Sequence, residues 1–181
     1  SSTRATKQSE WGSRVRTSES TVSDAIDGLS RESADCETGW ASEYFENHRR
    51  RYEETAHVLM EADCGRDLLS VGATPGHLVV LLSRVGYSVS AVDVDSERIH
   101  PTIGKELAEI KSCDIEVEPT PFPNDSFDGV VMAEVLEHLR IDPLYTLREV
   151  RWVLRPDGVL LVTTPNLHHL ARMVNYAKGA E

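Results

Sequence analysis

Three stretches of the chain combine residue types and spacings that could do chemistry. Ser70-Val71-Gly72-Ala73-Thr74-Pro75-Gly76-His77 leaves one apolar run and enters another. Glycines in such a turn permit tight turning and close approach of the backbone to a ligand. Asp93 follows about twenty residues later, where a carboxylate at a strand end can accept both hydroxyls of a ribose. Glu134-Val135-Leu136-Glu137-His138 places two carboxylates within a turn of an imidazole, and imidazole titrates near neutrality, as a general base should. Each stretch also has a plainer reading: a strand-to-helix turn, a helix cap, and a histidine packed at a helix end. Two Glu and one His on one turn form a weak metal pattern, so no metal centre is expected.

These residues need elements to hold them. Asp67 to Val71, Tyr87 to Val94, Ile110 to Ile115, Phe127 to Ala133 and Val159 to Thr164 read as short, nearly all-apolar strands, the pattern of strands covered on both faces. Helices are expected from Trp40 to about residue 61, from His77 to Val85, from Asp95 or Ser96 to about Ile110, from Asp142 to Leu154, and onward from Asn166. Gly86 is a natural C-cap, and Asp142 an N-cap with Pro143 at the first helical position. Alternating strands and helices predict an α/β fold with a mainly parallel sheet of about five strands. Residues 1–38 are polar and serine-rich and read as a disordered or loosely helical arm; residues 39–181 read as the domain, with its core over 66–166. Arg49-Arg50-Arg51 reads as a solvated helix face, His168-His169 as surface histidines, and Trp11, Trp40 and Trp152 as packing residues.

The 181 residues suit one domain, and the net charge of −11 disfavours nucleic acid and anionic membrane as partners. No stretch approaches the roughly 20 apolar residues of a membrane helix, and a cytoplasmic protein is the expectation. Fifteen arginines against four lysines, on an acidic background, fit a halophilic or GC-rich source. Cys36, Cys64 and Cys113 have no metal or redox spacing.

The Gly-bearing turn and Asp93 suit either a nicotinamide or an S-adenosylmethionine cofactor. A pyrophosphate needs Gly-x-Gly-x-x-Gly; here Thr74 and Pro75 obstruct the backbone. From about Asp67 to Asn166 the chain resembles the class I S-adenosylmethionine-dependent methyltransferases. The resemblance is carried by Gly72 and Gly76 after strand one, Asp93, Cys113-Asp114-Ile115-Glu116 after strand three, Pro121 to Asp128, Glu134 to Leu139, and the run from Leu147 to Asn166. It implies a Rossmann-like three-layer sandwich and a cofactor site of Ser70, Gly72, Ala73, Gly76, Asp93, Val94, Asp114, Ile115 and Ala133. It also implies a small-molecule methyl acceptor, with His138 as candidate base and Glu134 (or Glu137) orienting it.

The chain departs from the family pattern in Ser70, where an acid is usual, and in Thr74, where a glycine is usual. It also stops short of the usual antiparallel strand pair, as expected of a fragment, a natural truncation, or a homo-oligomer that covers the exposed edge. These departures support an alternative reading, a catalytically inactive methyltransferase-like binding or scaffolding domain.

Overall fold

The computed structural model describes residues 19–34, 39–96 and 106–165. Two helices come first, α1 (Glu19–Ala34) and α2 (Gly39–Ala62), followed by β1 (Asp67–Val71), α3 (His77–Arg84), β2 (Ser88–Asp93), β3 (Glu109–Ser112) and β4 (Phe127–Ala133). A single 3-10 turn (Leu136–His138), α4 (Pro143–Val153) and β5 (Leu154–Thr163) complete the described chain. The strands form one sheet in the order β3-β2-β1-β4-β5, every pair parallel.

Period-two alternation divides the core between the two faces of this sheet. Leu68, Val89, Ala91 and Val131 pack with α1, α2 and α3, while Leu69, Val71, Val92, Val130 and Met132 pack with Val150 and Val153 of α4. The result is the expected three-layer Rossmann-like α/β sandwich. Strand order reverses between β1 and β4, which puts the switch point, and so the ligand crevice, beyond their carboxyl ends.

Part of the arm read as disordered or loosely helical is a packed helix. Its residues 19–34 form a helix whose Val22, Ile26 and Leu29 are buried in the same core as α2 and α3. The apolar stripe recurs at helical spacing but is diluted by Ser, Asp and Glu, so composition hides it. Polar ties reinforce the packing: Arg49 pairs with Asp27, Ser30 donates to Glu46, and Arg84 bridges Glu32 and Glu106. Residues 1–18 lie outside the described residues.

Strand boundaries also move. β3 ends at Ser112 rather than residue 115. β5 begins at Leu154, because residues 155–158, which fall between the expected helix to Leu154 and strand from Val159, continue the strand through a register shift opposite Phe127 and Gly129. The expected helix to Ile110 gives way by Glu106 to turn and strand; residues 97–105 lie outside the described residues, as does the helix expected from Asn166. Asp142 caps α4 as expected, accepting from the N–H groups of Leu144 and Tyr145 at 3.0 and 3.2 Å. Among the described residues no helix is long and apolar enough to cross a membrane.

Candidate cofactor site

The turn after β1 is shaped by Gly72 and its neighbours. Gly72 has φ +71°, and a Cβ there would lie 2.4 Å from Val135 Cγ2. Only glycine therefore lets the loop after β1 touch the loop after β4. The Gly72 N–H donates to Val92 O at 2.9 Å, tying the turn to β2. Gly76, with φ +108°, leads directly into α3.

Asp93, at the end of β2, fastens this turn. Its Oδ2 accepts from Thr74 N–H at 2.9 Å and its Oδ1 from Asp95 N–H at 3.0 Å. Each carboxylate oxygen has a second lone pair, so Asp93 can buttress the turn and still accept the hydroxyls of a ribose.

Ser70, Gly72, Ala73, Gly76 and Ala133, all expected at the site, line one cleft of about 30 Å³ with Thr74, Pro75, His77 and Leu78. Its opposite wall comes from α2, through Tyr44, Arg51 and Tyr52, which sequence reasoning missed. Arg49 and Arg50 do face outward, bonded to Asp27 and Glu54, but Arg51 turns into the cleft. Its Nη1 lies 3.0 Å from Glu134 Oε2, and its guanidinium sits 5.5 Å from the Tyr52 ring centroid. Glu134, at φ +58°, is held further by Thr163, whose O accepts its N–H at 3.0 Å and whose Oγ1 donates to Oε1 at 3.1 Å. Both oxygens of Glu134 are thus engaged by Arg51 and Thr163. Glu134 does not orient His138, contrary to expectation.

Buried polar groups are normally hydrogen-bonded. Among the described residues five side-chain atoms are buried without a partner, and three of them, Arg51 Nε, Thr74 Oγ1 and His77 Nδ1, belong to residues lining this cleft; His57 Nε2 and Ser83 Oγ lie elsewhere. A guanidinium N–H, a hydroxyl and an imidazole nitrogen suit the carboxylate and amine of an amino-acid moiety, so the residues fit S-adenosylmethionine. They also supply polar atoms where Ser70 lacks the family's acid. Burial, followed by the nearby charge of His48, pulls the His77 pKa down to about 4, so its ring is neutral at physiological pH. Burial likewise pushes the Tyr52 phenol up.

The remaining expected residues lie at the same end of the sheet. Cys113 N–H donates to Asp93 O at 3.0 Å, setting the loop after β3 beside the end of β2. There Asp114 is half-buried and Ile115 buried, while Val94 holds an apolar side chain 69% exposed. Glu116 Oε2 accepts from the N–H groups of Arg140 and Ile141 at 2.6 and 2.7 Å, joining this loop to the one after β4. Glu137 and His138 are exposed on the 3-10 turn and do not line the cleft. Trp152 is 58% exposed rather than packed. His168, His169 and Trp11 lie outside the described residues.

Comparison with known proteins agrees with this geometry. The family model described as "Methyltransferase domain" matches residues 44–180. A probable S-adenosylmethionine-dependent methyltransferase of Mycolicibacterium smegmatis is 34% identical over 126 residues, covering 68% of this chain and 46% of the relative. The mitochondrial ubiquinone biosynthesis O-methyltransferase of Bos taurus is 35% identical over 124 residues, covering 64% of this chain and 32% of the relative. The chain therefore spans half or less of the length of these relatives. A crystal structure of a SAM-dependent methyltransferase from Aquifex aeolicus shares the fold, with TM-score 0.54 and 24% identity over 62% of this chain and 64% of that one. This chain belongs to the methyltransferase-domain family, and its cofactor is S-adenosylmethionine.

Proposed function

We propose that the chain transfers a methyl group to a hydroxyl oxygen of a small-molecule acceptor. The observation that carries this is the convergence of three buried, unpartnered polar atoms (on Arg51, Thr74 and His77) on the cleft whose turn Asp93 fastens. Oxygen is favoured over nitrogen or carbon by the O-methyltransferases among the relatives. An acidic chain of net charge −11 favours a small acceptor over nucleic acid.

When bound, S-adenosylmethionine supplies an activated sulfonium methyl, so the protein's task is chiefly to position the reactants. Asp93 takes the ribose hydroxyls. Val94, Asp114 and Ile115 flank the base. Arg51 Nε and Thr74 Oγ1 donate to the carboxylate, with Glu134 holding the guanidinium in place. Neutral His77 accepts from the ammonium through Nδ1, which an imidazolium could not do. Ala133, with its small side chain, leaves room beside the reacting carbon.

Calorimetric titration with S-adenosylhomocysteine tests this reading. Micromolar binding by the parent chain and loss of detectable binding in Asp93→Ala are expected. Equal affinity in the two would overturn the site assignment.

A further inference from the structure

A hydroxyl acceptor must lose its proton as the new bond forms, and the sequence offered His138 for that task. The fold supplies a better-prepared imidazole on the helix that forms the wall the sequence did not reveal, stacked behind a lining residue. His48 lies on α2, one turn after Tyr44 and one turn before Tyr52, both of which line the cofactor cleft. Its ring stacks on Tyr44 at 4.1 Å between centroids and lies 6.3 Å from Tyr52.

His48 Nδ1 is 2.6 Å from Tyr44 O. A carbonyl oxygen can only accept, so Nδ1 carries the hydrogen, and in the neutral ring Nε2 carries the free lone pair. No described residue occupies that nitrogen. This is the arrangement of a general base: one nitrogen anchored to fix tautomer and orientation, the other open to a proton. His138 has neither feature, since its ring is exposed on a 3-10 turn and no described residue anchors it.

We infer that His48 is the general base of the reaction and that the acceptor carries its hydroxyl on an aromatic ring, seated against Tyr44 and His48. The inference rests on the methyl-transfer reading above. The acceptor oxygen bonds the methyl carbon, the C–S bond breaks with its electron pair going to sulfur, and the hydroxyl proton passes to His48 Nε2. The imidazolium then releases that proton to water. An aromatic hydroxyl has a pKa near 10, as tyrosine's does, so it needs a base at neutral pH. Titratable groups packed around His48 are Tyr44 and Tyr52 of α2 and His77 of α3. On the α1 side, Asp27 and Glu46 are engaged by Arg49 and Ser30.

The first test needs no turnover. Imidazole 15N NMR of the cofactor-free chain at pH 8 should show His48 protonated on Nδ1 and bare on Nε2; the opposite tautomer overturns the inference. The second uses S-adenosylmethionine with catechol as the acceptor probe. His48→Gln should lower kcat at pH 7 by about 100-fold, while S-adenosylhomocysteine binds within about twofold of the parent. The two rates should converge as pH approaches about 10, where the hydroxyl ionises without help. A merely structural role would give an equal loss at every pH. That result, a larger loss from His138→Gln, or no methylation of catechol by a chain that binds the cofactor would each overturn it. Failure of the parent to bind S-adenosylhomocysteine would instead sink the methyl-transfer reading itself.

Discussion

The two ends of the sheet solve different problems. At the amino-terminal end, Asp128 Oδ2 accepts from Arg66 and Asp67 N–H at 2.9 and 3.0 Å, while Arg155 Nη1 reaches Asp128 Oδ1 at 2.5 Å and Asp67 Oδ2 at 3.0 Å. This clasp closes β1, β4 and β5 against one another and leaves its polar groups bonded. At the carboxyl end, Arg51, Thr74 and His77 carry buried polar atoms without partners. Backbone conformation does not separate the two ends: residues at positive φ occur at both, Asp63 and Asp125 at one and Gly72 and Glu134 at the other. What separates the clasp from the cleft is hydrogen-bond satisfaction, although His57 Nε2 and Ser83 Oγ, away from the cleft, are also buried without a partner. The clasp stabilises the fold in the absence of any ligand, whereas the cleft holds groups whose desolvation a ligand can offset.

Substitutions should therefore act differently at the two ends. The largest effect is expected from Asp128→Ala. Burial works against its charged carboxylate, yet the Asp67 N–H, the Arg155 guanidinium and the Arg66 N–H outweigh that and hold its pKa below the ordinary value. Removing it leaves two N–H groups without their acceptor and Arg155 with one of its two carboxylate partners, at a cost of about 3 kcal/mol. Urea unfolding should record that loss while S-adenosylhomocysteine affinity in the surviving folded fraction stays unchanged. A loss below about 1 kcal/mol would break the comparison.

A comparable effect is expected of pH, acting through His77. Its folded pKa of about 4 lies below the ordinary 6.5, so the unfolded state binds the proton first as pH falls. The stability contribution of the neutral ring is complete above about pH 6.5 and is lost progressively down to about pH 4, in total roughly 3 kcal/mol. The difference in unfolding free energy between the parent and His77→Asn should slope across that window. A flat difference would show that the ring is not buried neutral.

The smallest effect sharpens the comparison most. Thr74→Val keeps the shape of the side chain and removes an unpartnered hydroxyl. Stability should hold or rise slightly, while S-adenosylhomocysteine affinity should fall by about 1 kcal/mol, or roughly fivefold. Were both to fall, Thr74 would belong with the structural clasp rather than the ligand site.

Much of this architecture was legible in the chain itself. Strands covered on both faces must be apolar throughout, and Leu68-Leu69 or Val130-Val131-Met132 show it directly. A left-handed turn needs glycine at Gly72, and a carboxylate proposed to hold a ribose needs to stand at a strand end, as Asp93 does. Such requirements are local: each is met within a few residues, so residue type and spacing expose it. The sheet, the helices α2, α3 and α4, and the candidate site residues carried by β1, β2 and β4 were therefore legible in the sequence. The wall of the cleft was not. Arg51 looked like part of a solvated triplet, and Glu134 looked like a partner for the adjacent His138. Only the packing of α2 across the ends of β1 and β4 joined Arg51 to Glu134 and brought Tyr44 and Tyr52 to the cleft, with His48 stacked on Tyr44 beside them. α1 was decided in the same way, its thin stripe of Val22, Ile26 and Leu29 gaining a surface to bury against only once α2 and α3 were in place. Hydrophobic periodicity encodes which face of an element is buried, but the partner across that face is set by how the elements close on one another, and that is a property of the folded chain.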